Sequence, residues 1–247
     1  MTNYKRIEPG AIAECRTPMA PLRSDASEAA QLETQILYGE TCDVLASGDG
    51  DWIKVRIKAD GYQGWTDRKH FSPLVQSRFH FLTQLITPVK TSYGKQFLPF
   101  GSMLTQEEIQ KTEKTGKLSA FSGKNPVEFA PLFENAPYLW GGKSILGIDC
   151  SGYMQLIFKA CGILLPRNAS QQESLGDPVD FAHRQSGDLA FFANDKGKII
   201  HVGIIDDEGI WHASGWVHHD RLTSEGIIHF ETGIITHRLA SIRRITT

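Results

Sequence analysis

The sequence predicts an α+β fold: a β-rich first half that reads as two small antiparallel barrels, then a helix packed against a run of antiparallel strands. Three observations predict it. Short segments rich in β-branched and aromatic residues, broken by glycine turns, fill most of residues 1–125. One long apolar-periodic stretch runs from Asp149 to Pro166. From Gly187 onward, strand-like segments alternate with turns to the end of the chain.

At 247 residues and 40% hydrophobic, the chain is long enough for two to three small domains, each with its own core. Its formal charge of -2 and the absence of a Lys/Arg run argue against nucleic acid or an anionic membrane as partner, since both demand clustered positive charge. No stretch approaches the roughly 20 apolar residues that span a bilayer. The N-terminal string MTNYKRIEPG contains no apolar run of secretory length. The expectation is a cytoplasmic protein, or an extracytoplasmic one if a leader was removed.

The elements divide at 1–76, 77–125 and 126–247. In the first segment TQILYGETCDVLAS, DWIKVRIK and GYQGWTDR read as strands, separated by the turn signals Gly48-Asp49-Gly50 and Asp60-Gly61. In the second, FHFLTQLITPVKTSYG to FLPFGSML is punctuated by Pro88, Gly94, Pro99 and Gly101. The polar string TQEEIQKTEKTGKLSAFSGKN that follows reads as a solvated excursion. Pro126 opens a short amphipathic helical segment, because its missing N–H is no loss at a helix start. YLWGGKSILGI then supplies a glycine-bearing loop, and DCSGYMQLIFKACGILLP a helix ended by Gly162 and Pro166. The tail strands are GDLAFFAND, GKIIHVGIIDDEG, IWHASG, GIIHFETG and HRLASIRRIT.

Four cysteines stand at Cys15, Cys42, Cys150 and Cys161, with no C-x-x-C pair and no histidine at zinc-ligand spacing beside them. Neither a metal nor a cofactor is therefore expected. Cys15, Cys42 and Cys161 read as small hydrophobes with reduced thiols. Cys150 differs by location, since it opens a helix whose first N–H groups lack backbone partners. The positive end of the helix dipole is expected to favour its thiolate and lower its pKa. The alternative is a plain buried cysteine.

Two histidines decide between these readings. His201 interrupts the apolar strand IIHVGII, and His212 lies in IWHAS just beyond the Asp206-Asp207-Glu208-Gly209 turn. Neighbouring antiparallel strands can set them side by side, the first as base for the thiol and the second holding its tautomer. The remaining histidines, among them His70, His80, His183, His218, His219, His229 and His237, are assigned to the core or the surface. Trp140 reads as packing.

The string Asp149-Cys150-Ser151-Gly152, with Pro137-Tyr138-Leu139-Trp140-Gly141-Gly142 before it and Leu165-Pro166-Arg167 and Gln171-Gln172 after it, resembles the NlpC/P60 family. So do Gly187-Asp188-Leu189-Ala190-Phe191-Phe192, His201-Val202-Gly203-Ile204 and Ile210-Trp211-His212-Ala213-Ser214. The resemblance implies a papain-like catalytic domain. It also implies cleavage of the bond between γ-D-glutamate and a diamino acid in murein peptides. It assigns catalysis to Cys150, His201 and His212, the oxyanion side to Tyr138, and substrate contacts to Asp149 and Ser151.

The β-rich half resembles two bacterial SH3 units of the kind found in murein-peptide recycling enzymes, where the first recognises a free L-alanine amine. Tyr62, in GYQGW, is the expected amine contact, together with an acidic residue between Glu28 and Glu33. Arg167 is the candidate for the D-glutamate carboxylate, or else half of a surface ion pair. In the string Arg167-Asn168-Ala169-Ser170, Asn168 replaces an aspartate common in relatives, supplying a dipole where they supply a charge; Ser170 is a further candidate contact. Diaminopimelate and lysine stay open at the diamino position. The alternative functions are an idle peptidoglycan-binding protein and a papain-like murein amidase.

Overall fold

The computed structural model describes residues 7–74, 78, 80–111, 118–119 and 125–246. Contacts group into two compact units: Met1–Ser122 with Trp140–Ile145, and Gly123–Leu139 with Leu146–Thr247. The stretches read as separate domains at 1–76 and 77–125 fall in the first of these, and the boundary between them lies outside the described residues. Among the described residues no helix is long and apolar enough to cross a membrane.

The first unit is built on a seven-stranded antiparallel sheet. Its order is Leu32–Leu37, Met19–Arg23, Gln63–Asp67, Trp52–Ile57, Thr41–Ser47, Ile12–Cys15 and Phe71–Pro73. Alternation drives it. In Trp52–Ile57 the side chains of Ile53, Val55 and Ile57 are fully buried while those between them face outward. They join Leu22, Ile36, Val44 and Phe71 in one core, where each large apolar side chain contributes about 1.5–3 kcal/mol. The string TQILYGETCDVLAS proves to be two strands and not one. Gly39 breaks it at φ 79°, where a Cβ would come within 2.2 Å of the Met103 carbonyl oxygen.

The second β-rich stretch forms a hairpin, Ile86–Thr91 with Gly94–Pro99, and a three-stranded sheet in the order Met103–Leu104, His80–Leu82, Leu118–Ser119. Its core residues Leu82, Val89, Leu98 and Leu104 pack with Tyr38 of the first stretch. That shared core explains why one unit forms.

The polar string after Leu104 departs from the solvated excursion expected of it. Gln106–Gln110 is a helix with a capping box, Thr105 Oγ1 accepting from Glu108 N at 3.2 Å and Glu108 Oε2 from Thr105 N at 3.0 Å. Glu108 is buried and accepts from both the Tyr38 hydroxyl and Arg78. The Arg78 fork also donates to Glu14 at 2.7 and 2.8 Å, and its guanidinium lies 4.7 Å from the Tyr38 ring centroid. A carboxylate can be drawn inside because its partner is charged, bidentate and equally buried. The rest of that string, 112–117 and 120–124, lies outside the described residues.

In the second unit, Leu189–Ala193, Ile199–Ile205, Ile210–Ser214, Trp216–Leu222, Gly226–Ile228 and Ile235–Arg244 pair in succession, and the last pairs back with the first, closing a six-stranded barrel. Trp216–Leu222 was not expected as a strand, because Trp-Val-His-His-Asp-Arg-Leu hides its alternation under polar side chains. The helix Cys150–Lys159 packs against Ile199–Ile205 and Ile210–Ser214. Pro126–Phe133 is a 3-10 helix, in keeping with Pro131 inside it, which cannot donate an α-helical hydrogen bond.

Arg78→Ala should destabilise the protein by about 3–5 kcal/mol, since it strands two buried carboxylates. Arg78→Met with Glu14→Gln and Glu108→Gln should recover part of that loss. Urea unfolding of the three proteins checks both expectations.

Candidate active site

Cys150 is the first residue of the helix Cys150–Lys159, and Asp149 is its N-cap, with Oδ1 accepting from Gly152 N at 2.7 Å. The thiol is free and buried. The backbone N–H groups of Val202 and Ser151 hydrogen-bond its sulfur, so the nucleophile sits against the strand that carries His201.

The strand register explains why the histidines meet. Gly203 pairs with His212, and side chains two residues apart share a face, so His201 and His212 lie diagonally on one side of the sheet. His212 pairs with His218, and Asp220 is two residues further along the same face. His201 Nε2 lies 2.9 Å from His212 Nδ1, and His212 Nε2 lies 3.1 Å from Asp220 Oδ2. Gly203 permits the close approach, since a Cβ there would meet the Trp211 carbonyl oxygen at 2.8 Å.

Charge states follow from burial and partners. Burial works to raise the pKa of Asp220, but the hydrogen bonds with His212 and the Phe230 N–H, together with the adjacent His218 ring, outweigh it and hold the carboxyl well below its ordinary range. Burial holds His201 far below the ordinary histidine value, with the neighbouring His212, His237 and His218 acting in the same direction. Burial also lowers His212, against the pull of Asp220. Two neutral imidazoles beside one carboxylate leave a single arrangement of protons. Asp220 accepts from His212 Nε2–H, so His212 Nδ1 is bare and accepts from His201 Nε2–H. The lone pair of His201 is then on Nδ1, the nitrogen left for the thiol.

The expectation of a lowered thiol pKa is overturned. Burial first, and then the negative charge of Asp149, push Cys150 up to about 12, against the hydrogen bonds and the nearby Arg167. The resting pair is thiol and neutral imidazole.

Tyr138 is half-buried, and its backbone N–H donates to the Gly215 carbonyl at 2.9 Å. Burial first, and then the negative charge of Asp149 and of Cys150 whenever it ionises, raise its phenol to about 12, so it stays protonated. Arg167 is not a surface pair, nor is its fork open toward a substrate carboxylate. It is buried and grips Asp149 at 3.0 and 2.5 Å while Nη1 also donates to Ser151 Oγ at 2.7 Å. Asn168 and Ser170 are exposed at the start of the short helix Ala169–Gln172. Trp140, read as packing, is 60% exposed.

In the first unit the Tyr62 hydroxyl donates to Glu33 Oε2 at 2.6 Å, so the acidic residue beside Tyr62 is the last of the 28–33 stretch. Glu28 is instead 3.1 Å from Arg23. Asp220 escapes the sequence reading, which assigns His218 and His237 only to the core or the surface. Their signal would have been the unrecognised strand Trp216–Leu222 and the closing strand Ile235–Arg244.

A buried cysteine at a helix start, a two-histidine relay on the adjoining barrel and a protonated tyrosine define a cysteine peptidase. The chain carries an NlpC/P60 domain and a bacterial SH3 domain: the NlpC/P60 family model matches residues 135–236, and the model of the bacterial dipeptidyl-peptidase SH3 domain matches residues 22–71. A γ-D-glutamyl-L-lysine dipeptidyl-peptidase of Bacillus subtilis (strain 168) is 27% identical over 86% of this chain and 81% of its own length. One of the same name from Bacillus cereus (strain ATCC 10987 / NRS 248) is 29% identical over 74% and 67% respectively. The crystal structure of an NlpC/P60 family protein from Bacillus cereus ATCC 10987 shares the fold, with a TM-score of 0.78 over 95% of this chain and 99% of that one at 22% identity.

Cys150→Ala should lose at least about 10⁴-fold in kcat with its fold intact by circular dichroism. Asp220→Asn can present an N–H to His212 and force the wrong tautomer, at a loss on the order of 10²–10⁴-fold. His201→Ala should be the more severe lesion of the two histidines. A dead His212→Ala beside an active His201→Ala would reverse their roles.

Stability should fall as the medium is acidified. His201, His212 and His237, the last lowered to about 4 mainly by burial, refuse protons that the unfolded chain accepts below the ordinary histidine value. The unfolded state therefore binds more protons in that window, and stability is lost from about pH 6.5 downward. Thermal unfolding at pH 7 and pH 5 should show a lower Tm at pH 5, with a smaller difference in His237→Gln.

Proposed function

We propose that this protein cleaves the amide bond between γ-D-glutamate and an L-diamino acid in murein peptides whose L-alanine amine is free. The observation that carries the reading is the Cys150, His201, His212 relay in a chain similar along most of its length to two γ-D-glutamyl-L-lysine dipeptidyl-peptidases. In the first step the Cys150 sulfur attacks the γ-carbonyl as its proton passes to His201 Nδ1. The oxyanion is met by the Cys150 N–H at the helix start and by the Tyr138 hydroxyl. His201 returns the proton to the leaving amine, and the thioester of the L-alanyl-γ-D-glutamyl fragment is hydrolysed by a water that His201 deprotonates. Asp149, clamped by Arg167, fixes the helix start, and we assign Ser151 to the substrate side of that cluster.

The free amine separates this reading from a wall amidase. An ammonium removed from water needs a charged or hydrogen-bonding partner, and we assign that part to the Tyr62–Glu33 pair. Asn168, with no charge to add, leaves more of the selectivity to Glu33. Trimmed peptides carry a free L-alanine amine, whereas wall-bound stems carry that nitrogen in an amide. We therefore place the protein in cell-wall peptide recycling, in the cytoplasm.

Mass spectrometry of products from L-Ala-γ-D-Glu-L-Lys and its diaminopimelate counterpart tests the bond; L-Ala-D-Glu and the free diamino acid are the expected products. N-acetylation of the tripeptide should lower kcat/KM at least about a hundredfold, roughly 2.7 kcal/mol, and Glu33→Gln should shrink that ratio. Equal rates on the acetylated peptide, or efficient digestion of intact sacculi, would rule out the recycling role.

A further inference from the structure

Behind the relay lies a cluster that the peptidase chemistry does not use in full. His218 is 5% exposed, and its Nδ1 lies 3.0 Å from the Trp216 carbonyl oxygen, which fixes the proton on that nitrogen. Its Nε2 is buried with no hydrogen-bond partner. That nitrogen sits 3.2 Å from Asp220 Oδ2, off the hydrogen-bond direction, while His212 Nε2 sits 3.1 Å from the same oxygen. Two imidazole nitrogens and one carboxylate oxygen thus converge on one buried point, a geometry that suits a cation. His212, His218 and Asp220 bring two imidazole nitrogens and one carboxylate oxygen within 4.8 Å of one another, all three residues buried. Metal–ligand bonds of about 2.0–2.2 Å to two nitrogens and an oxygen are those of Zn²⁺.

We propose that His212, His218 and Asp220 form an inhibitory zinc site that switches off the peptidase from behind its base. The consequence for catalysis, though not the site itself, rests on the peptidase reading above. Zinc on His212 Nε2 displaces the proton held there, and the neutral ring then carries its proton on Nδ1. His212 changes from acceptor to donor toward His201 Nε2. The His201 proton is transferred to Nδ1, the two protons of the pair are conserved, and no lone pair is left for the thiol. The base is silenced without any metal entering the substrate site. The neighbouring trio His201, His212 and His237 is a weaker candidate, because His201 Nε2 and His212 Nδ1 are already spent on each other.

The test uses the full chain and two metals. Co²⁺ added to Cys150→Ala should bind one equivalent and give visible d–d bands with no sulfur charge-transfer band. His218→Phe should abolish those bands while its circular dichroism stays that of the parent. On the parent, Zn²⁺ should lower kcat at least about tenfold, without relief by excess substrate and with full recovery after EDTA; His218→Phe should resist it. Co²⁺ binding is read without turnover, so failure to cleave murein peptides would overturn the peptidase reading and leave the site standing. The site is overturned if folded Cys150→Ala binds no Co²⁺, if the bands need Cys150, or if folded His218→Phe binds Co²⁺ and responds to Zn²⁺ as the parent does. Should His218→Phe not fold, the Co²⁺ spectrum of Cys150→Ala and the insensitivity of Zn²⁺ inhibition to substrate still decide the matter.

Discussion

A buried, ionised carboxylate hydrogen-bonded by one histidine and one backbone N–H sets the proton pattern of the catalytic end of this barrel. Asp220 lies on the strand Trp216–Leu222, one strand beyond His212 and two beyond His201. Its charge is tolerated inside because its lone pairs are satisfied. Once it is charged, every ring nitrogen down the line has a defined role, ending in a lone pair on His201 Nδ1. A neutral residue of the same shape would leave the heavy atoms in place and lose that order.

The same economy explains the nucleophile. The helix dipole offers Cys150 about half a positive charge, yet the thiol is raised, because burial and the full negative charge of the N-cap Asp149 act against it. Asp149 is required at that position for another reason: it caps the helix through Gly152 N and is the anchor for Arg167. Arg167 offsets part of its charge and ties the segment after the helix back to the helix start. The site thus combines a raised thiol pKa with a rigid helix start.

In the first unit a buried cation has the organising part. Arg78 joins Glu14 from the first strand to Glu108 from the short helix, across the ring of Tyr38. Two β-rich stretches that look like independent barrels in sequence share a core there. The string after Leu104 is mostly polar, and composition cannot distinguish Glu108, which turns inward, from Glu107 beside it, which stays exposed.

What the sequence by itself determined was local. Cys150 at a helix start, Asp149 as its cap, the apolar strand around His201 and the turn before His212 all rest on residues a few positions apart, where periodicity and capping act. The tertiary structure decided the rest. Asp220, His218 and His237 enter through strand pairing over 6 to 36 residues from the base or its orienter, Glu33 meets Tyr62 across 29 residues, and Glu108 meets Tyr38 across 70. Register between strands is set by the whole barrel closing, and burial, which governs every shifted pKa here, exists only once the two faces have packed. A side chain's partner and its dielectric surroundings are properties of the folded chain, and no short string of residues contains them.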